Sequence, residues 1–224
     1  MINPGFMLQN VQPHPDKGCY IVVGLARGGT SSIASALHAL GICMGDLARP
    51  PNYEDRKLIA SIPAANRLSL KRRDWTDFEA TLRQYDLQHD WWGFKYPSLH
   101  TDLEKVHQLL RNPRYIFIYR DVFAISSRRS QIFPDHDHFR FMRDYLNKYA
   151  QIVRFAEKNA FPALHVSYEK MLTNTDAFSR ALCEFCNVPV SLENSKTISG
   201  VITPSPEKYT AWTVRHANSK KKAS

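Results

Sequence analysis

Between an apolar run and an amphipathic stretch, residues 24–32 read GLARGGTSS. Glycines let a backbone approach an anion closely, and the N–H groups of Gly28, Gly29, Thr30 and Ser31 can point at one. A helix starting at that point adds positive potential from its dipole. Against the phosphate-loop pattern GxxxxGK[ST], the glycines and Ser31 fit, but Thr30 stands where the lysine belongs. A cation sits inside the loop instead, at Arg27. A kinase or triphosphatase normally keeps that lysine on the β- and γ-phosphates. A bare strand-to-helix turn gains little from an arginine between glycines, so the segment reads as an anion-binding loop.

Other candidates lie further along. Lys95 ends the apolar run of WWGFKYP, where a lysine either snorkels to solvent or reaches into a site. Arg120 ends RYIFIYR, and Ser127 and Arg128 follow within VFAISSRR. Glu54 and Asp55 sit in PPNYEDRKLI. A carboxylate there can take a proton from a reacting hydroxyl, or can simply favour the start of a helix. Cys183 and Cys186 form CEFC inside a helical pattern, SRALCEFCNVP. No second pair completes a zinc site, so plain helix packing is expected and no metal is assigned.

These residues need strand ends and helix starts to hold them. GCYIVVG is a buried strand, and SSIASALHALG a helix stopped by Gly41. WWGFKYP is a second strand, ended by Pro97. TDLEKVHQLLRNP reads as a helix capped by Thr101 and stopped before Pro113, and RYIFIYR as a third strand. From about Asp137 to Asn159 a long helix is expected, with Phe139, Met142, Leu146, Tyr149, Val153 and Ala156 on its apolar face. FPALHVSYE is a fourth strand and Asp176 to Asn187 a late helix; after Val188 the pattern fades into loop. Strands alternating with helices predict a three-layer α/β/α fold with a central parallel sheet. Sites in such sheets lie at the carboxyl ends of the strands.

Taken together, the segments resemble the sulfotransferases that use 3′-phosphoadenosine 5′-phosphosulfate (PAPS). Their loop places a basic residue and a small one before GTT or GTS, as RGGTSS does here. WWGFKYP is similar to their strand with lysine before proline, and PPNYEDRKLIASIPAANRL to a stretch carrying an acidic residue ahead of a helix. HVSYEKML resembles their late strand, with Tyr168 and Glu169 structural. The resemblance implies a P-loop-kinase-like fold and PAPS as donor, without a metal. It implies cofactor contacts from Arg27, Gly28, Gly29, Thr30 and Ser31. Arg120 would read the 3′-phosphate, joined by Ser127 or Arg128. Arg27 and Lys95 would stabilise the transferred sulfuryl group, and Glu54 would act as base with Asp55 as the spare. The alternative is a P-loop kinase of a small molecule or nucleotide with an atypical loop.

The rest of the composition agrees. The 224 residues, 43% hydrophobic and 23% charged, can bury a core as one domain over 1–224. Residues 1–17 read as an extended arm and 216–224 as a basic tail. A net charge of +9 favours an anionic partner. The basic residues are scattered, densest in LKRR at 70–73 and SKKK at 219–222, with no nucleic-acid motif. No nucleic-acid partner is therefore expected, and the resemblance implies a small-molecule or glycan acceptor. No apolar run reaches the ~20 residues of a membrane span and no signal peptide is visible, so a cytoplasmic location is expected. Trp91, Trp92, Tyr53, Phe133 and Trp212 either line an acceptor site or pack the core.

Overall fold

The computed structural model describes residues 5–63, 73–130 and 137–202. Phe133, Trp212, the SKKK group, the tail at 216–224 and all of LKRR except Arg73 lie outside them.

β2 (Gly18–Val23) is buried at every position, as its β-branched run requires of a strand covered on both faces. It pairs in parallel with β3 (Trp91–Lys95) on one side and β4 (Pro113–Tyr119) on the other. β5 (Ala163–Ser167) continues the parallel run beside β4. A short strand that the sequence did not announce, β1 (Phe6–Gln9), closes the far edge antiparallel to β5. The order is β1-β5-β4-β2-β3. The expected parallel sheet is thus present with one antiparallel edge, and the arm at 1–17 contributes that edge.

Alternation along the strands separates two cores. Ile21, Val23, Tyr115 and Phe117 face α3 (Thr76–Gln88), α4 (Leu103–His107) and α6 (His138–Lys158). Tyr20, Val22, Ile116, Ile118 and Leu164 face α1 (Thr30–Ala39), α8 (Thr175–Phe185) and α9 (Leu192–Val201). Each buried Ile, Val or Phe side chain contributes about 1.5–3 kcal/mol relative to exposure. α2 (Arg56–Ser61), α5 (Val122–Ser130) and α7 (Tyr168–Thr173) complete the covering layers. No described helix is long and apolar enough to cross a membrane.

Several expectations need correction. Thr101 does not cap a helix; it lies in a 3-10 turn, Leu99–Thr101, and α4 ends at His107 because the chain then turns toward Pro113. α6 has the expected length, but it buries Tyr145, Ile152, Phe155 and Ala156. Phe139, Leu146 and Val153 are exposed, because the stripe that meets the sheet is rotated around the helix from them. The stretch after Val188 is not loop: Ser191 caps α9, accepting from the Asn194 amide, and Ile198 anchors the helix in the core. Cys183 and Cys186 are free, buried thiols packed beside the α8 core, as plain packing requires. Trp92 and Tyr53 belong to the cores, while Trp91 lies against His14 and Tyr20, so these three pack rather than open a cleft.

A polar relay ties β1 down. His165 donates from Nε2 to Gln9 Oε1 at 2.7 Å, which leaves Nδ1 to accept from the Tyr119 hydroxyl at 3.1 Å. Gln9 also donates to the Ala156 carbonyl of α6. Burial holds His165 below the ordinary imidazole pKa, and His14, His100 and His107 are lowered by the same cause first. The unfolded chain therefore binds protons on these rings before the folded one does, and stability rises with pH through that window. The urea midpoint should fall between about pH 7 and about pH 5.5, and His165→Gln should flatten that fall. A midpoint that rises on acidification would show that these rings do not govern the dependence.

Candidate active site

Four neighbouring parallel strands end on the same side of the sheet, and each delivers a polar group there. β2 runs into the glycine-rich loop. Gly29 has φ of +96° and caps α1 in a left-handed conformation that disfavours a side chain. A Cβ on Gly29 would stand 2.3 Å from the ring of Tyr168, so the loop also needs glycine for contact with the end of β5. Arg27 takes a positive φ of 69°, a strained geometry for a non-glycine residue. The loop corrects one expectation: the Gly28 amide is already spent on the Leu25 carbonyl at 2.8 Å. The amides of Thr30 and Ser31 open α1, in the first turn where helix N–H groups have no intrahelical acceptor. The first turn of α1 holds no acidic residue, so nothing there cancels the positive end of the dipole.

β3 ends on Lys95, which is 1% exposed. Its Nζ donates to Glu54 Oε1 at 2.7 Å and to Ser31 Oγ at 3.3 Å. Ser31 in turn donates to the Asn52 carbonyl at 3.4 Å. The loop, the strand end and the connection before α2 therefore meet at one ammonium. Glu54 keeps 29% of its side chain exposed and is open to an incoming group.

Asp55 is a correction. It is 1% exposed and caps α2, accepting from the amides of Lys57 and Leu58. It also accepts from the Leu47 amide and from the Tyr85 hydroxyl, the latter at 2.5 Å. Both oxygens are occupied and the residue is buried, so Asp55 holds the connection in place rather than standing ready as the spare base. The helix-start role suggested for Glu54 falls to Asp55, one residue on.

β4 ends on Arg120. Its Nη1 donates to the Arg27 carbonyl at 2.9 Å, and its guanidinium lies over the Tyr168 ring at 4.4 Å. Its Nε is buried with no hydrogen-bond partner among the described residues. The Tyr149 hydroxyl clamps the same residue's backbone, accepting from the Arg120 amide at 2.8 Å and donating to its carbonyl at 3.1 Å. Arg120 is thus held against the loop rather than in an ion pair with Asp121, whose carboxylate accepts from the Ala124 amide at the start of α5. Ser126, Ser127 and Arg128 lie on α5. Ser126 is fully buried and bonded to His138, whereas Ser127 and Arg128 are half-buried.

Sequence reasoning brought together Arg27, the loop, Lys95, Glu54 and Arg120, and all five meet at this end of the sheet. It missed Tyr149, which its spacing marked only as an apolar-face residue. It also understated Tyr168, read as structural but in fact the platform under both Gly29 and Arg120. The signal for both was a tyrosine hydroxyl or ring next to a strand end, where one face is apolar and the other polar.

A family model described as "Sulfotransferase family" matches residues 46–192. The chain belongs to that family. The matched span holds Glu54, Lys95 and Arg120 but begins after the glycine-rich loop, whose reading rests on its own geometry. Sulfotransferase STF9 from Mycobacterium avium is similar in structure, with 14% identity and a TM-score of 0.51. The match covers 84% of this chain and 68% of that one. Mouse sulfotransferase SULT7A1 complexed with PAP gives 14% identity and a TM-score of 0.53, over 84% of this chain and 65% of that one. The sulfotransferase domain of the Synechococcus PCC 7002 olefin synthase gives 15% and 0.53, over 94% and 97%. At these identities the likeness concerns the fold, a mostly parallel sheet between helical layers. No curated protein matches the chain in sequence.

The Lys95–Glu54 pair is the part of this candidate site most open to a stability test. Removing one member of a buried pair leaves the other charge without its counter-ion, a loss of about 3–5 kcal/mol when both are dry. Glu54 is partly solvated, so Glu54→Ala should cost about 1–3 kcal/mol in urea denaturation. Adding Lys95→Met should recover most of it, leaving the double variant within about 1 kcal/mol of the parent. Additive losses would mean that the two side chains are not coupled.

Proposed function

We propose that the chain transfers a sulfuryl group from PAPS to the hydroxyl or amine of a small-molecule or glycan acceptor. The observation that carries this reading is the buried Lys95 ammonium, bonded to both Glu54 and Ser31 at the mouth of an anion-binding loop. The sulfur would sit beside Lys95. A bond forms from the acceptor oxygen or nitrogen to sulfur as the bond from sulfur to the bridging oxygen of the 5′-phosphate breaks, in line. The acceptor's proton goes to Glu54, and the leaving bisphosphate keeps the electron pair of the broken bond. Charge building on the bridging oxygen is met by Lys95, Arg27 and the amides of Gly29, Thr30 and Ser31, fixed before the reaction begins. Arg120, with Ser127 or Arg128, faces the 3′-phosphate. Two side-chain cations supply the stabilisation that a kinase draws from magnesium.

Support comes from the family membership and from the PAP bound by the mouse relative. The lysine missing from the loop also favours it. Thr30 occupies that place and is 4% exposed, and the cation comes from the neighbouring strand.

Binding of the desulfated product tests the reading without knowledge of the acceptor. A ligand bound only by the folded state stabilises it by about 2.7 kcal/mol at a hundredfold excess over Kd. Adenosine 3′,5′-bisphosphate should raise the melting temperature by several degrees, and adenosine monophosphate by much less. The shift should be the same with and without chelator, each compared with its own ligand-free control. Arg120→Ala should weaken the protection by about 1.5–3 kcal/mol, the scale of a hydrogen bond to a charged group. Protection by magnesium–ATP but not by the bisphosphate would overturn the proposal in favour of a small-molecule or nucleotide kinase.

A further inference from the structure

Away from the strand ends, near the start of β3, three side chains of different chemistry converge. A ligand atom from each of Cys43, Asp46 and His89 lies within 4.8 Å of the other two. Their backbones are fixed. Cys43 bridges Trp92 on the outer edge of β3, and its carbonyl accepts from the Gly93 amide at 2.8 Å. The Asp46 amide donates to the Tyr85 hydroxyl at 3.2 Å. His89 closes α3, its amide bonded to the Tyr85 carbonyl and its ring stacked on the Tyr85 ring. Tyr85 therefore organises the cluster from beneath.

The histidine is the informative member. Its Nε2 is shielded from solvent and has no hydrogen-bond partner among the described residues, although an Asp46 carboxylate oxygen stands 3.8 Å away. A shielded ring nitrogen without a partner costs free energy unless something else uses it. Cys43 and Asp46 also line a cleft of about 280 Å³, shared with His38 and Arg49, which leaves room for a further ligand from solvent.

We infer that Cys43, Asp46 and His89 bind one divalent cation of the zinc class. One sulfur, one imidazole nitrogen and one carboxylate oxygen match the donors zinc takes, with a water from the cleft completing four-coordination. The soft sulfur selects against magnesium and calcium, which take oxygen ligands. Binding replaces the proton on the Cys43 sulfur, so each cation bound releases one proton from that thiol. The site is separate from Lys95, three residues further along β3. It does not depend on the donor or acceptor of the transfer reaction. Its bound cation would brace the connection from Cys43 to Asp55, on which Glu54 is carried.

Cobalt(II) is the probe. Protein stripped with chelator and dialysed should take up one equivalent, showing thiolate-to-metal charge transfer in the near ultraviolet and visible bands of four-coordinate cobalt. Zinc should displace it, and magnesium in large excess should not. Cys43→Ser should lose the charge-transfer band, and Asp46→Asn and His89→Gln should each weaken uptake at least about tenfold. A measurement on the unaltered protein stands beside these variants: zinc should slow alkylation of Cys43, located by peptide mass spectrometry. The inference is overturned by absence of the charge-transfer band, by its persistence in Cys43→Ser, by uptake indifferent to both Asp46 and His89, or by alkylation of Cys43 unaffected by zinc.

Discussion

A lysine that is 1% exposed at the end of a strand constrains everything built around it. An ammonium taken out of water is tolerated only with an opposite charge and hydrogen-bond acceptors close by. Glu54 supplies the charge and Ser31 an acceptor. Each demand propagates. To bring Glu54 to Lys95, the connection after α1 must be pinned, and Asp55 does this with both carboxylate oxygens. Gly45 is part of the same arrangement, since a Cβ there would stand 2.2 Å from an Asp55 oxygen. To bring Ser31 to Lys95, α1 must begin within reach of the end of β3, which sets the path of the glycine-rich loop.

The strand order distributes the electrostatics. β3, β2, β4 and β5 lie side by side, and their ends carry Lys95, the loop, Arg120 and Tyr168 in that order. Tyr168 is uncharged, yet it fixes the two elements beside it, Gly29 by contact and Arg120 by its ring face. A usual phosphate loop places a lysine at its helix start; here Thr30 stands there, and the buried lysine bonded to Ser31 belongs to the adjacent strand. That shift leaves the helix start to its amides and to the hydroxyl of Ser31, while Thr30 turns inward.

The regular elements were readable because their signals are local. Gly18 to Val23 could be nothing but a buried strand, and Arg27 between glycines marked the loop. Lys95, Arg120 and Glu54 were readable because each sits next to a strand or helix boundary. What failed needed tertiary information. Phe139, Leu146 and Val153 form a good apolar stripe, but which stripe of α6 meets the sheet is decided by neighbours far away in sequence. Glu54 and Asp55 differ by one position, and only the placement of Tyr85 and Lys95 separates a solvent-facing carboxylate from a buried cap. β1 carries too weak a pattern in four residues, because its stability comes from its partner strand rather than from its own composition.

That partner lies far along the described chain, after every other strand, with Phe6 opposite Val166. β1 precedes every other described strand, yet its hydrogen-bonding edge does not exist until β5 is made. Until then Met7 and Leu8, exposed even in the finished fold, belong to an unpaired segment of the growing polypeptide. Pairing over so long a separation loses loop-closure entropy before contacts compensate it, so closure of this edge is expected to come late in folding. Its shortness then works in the protein's favour: four residues present little template for strand pairing with another molecule during the wait.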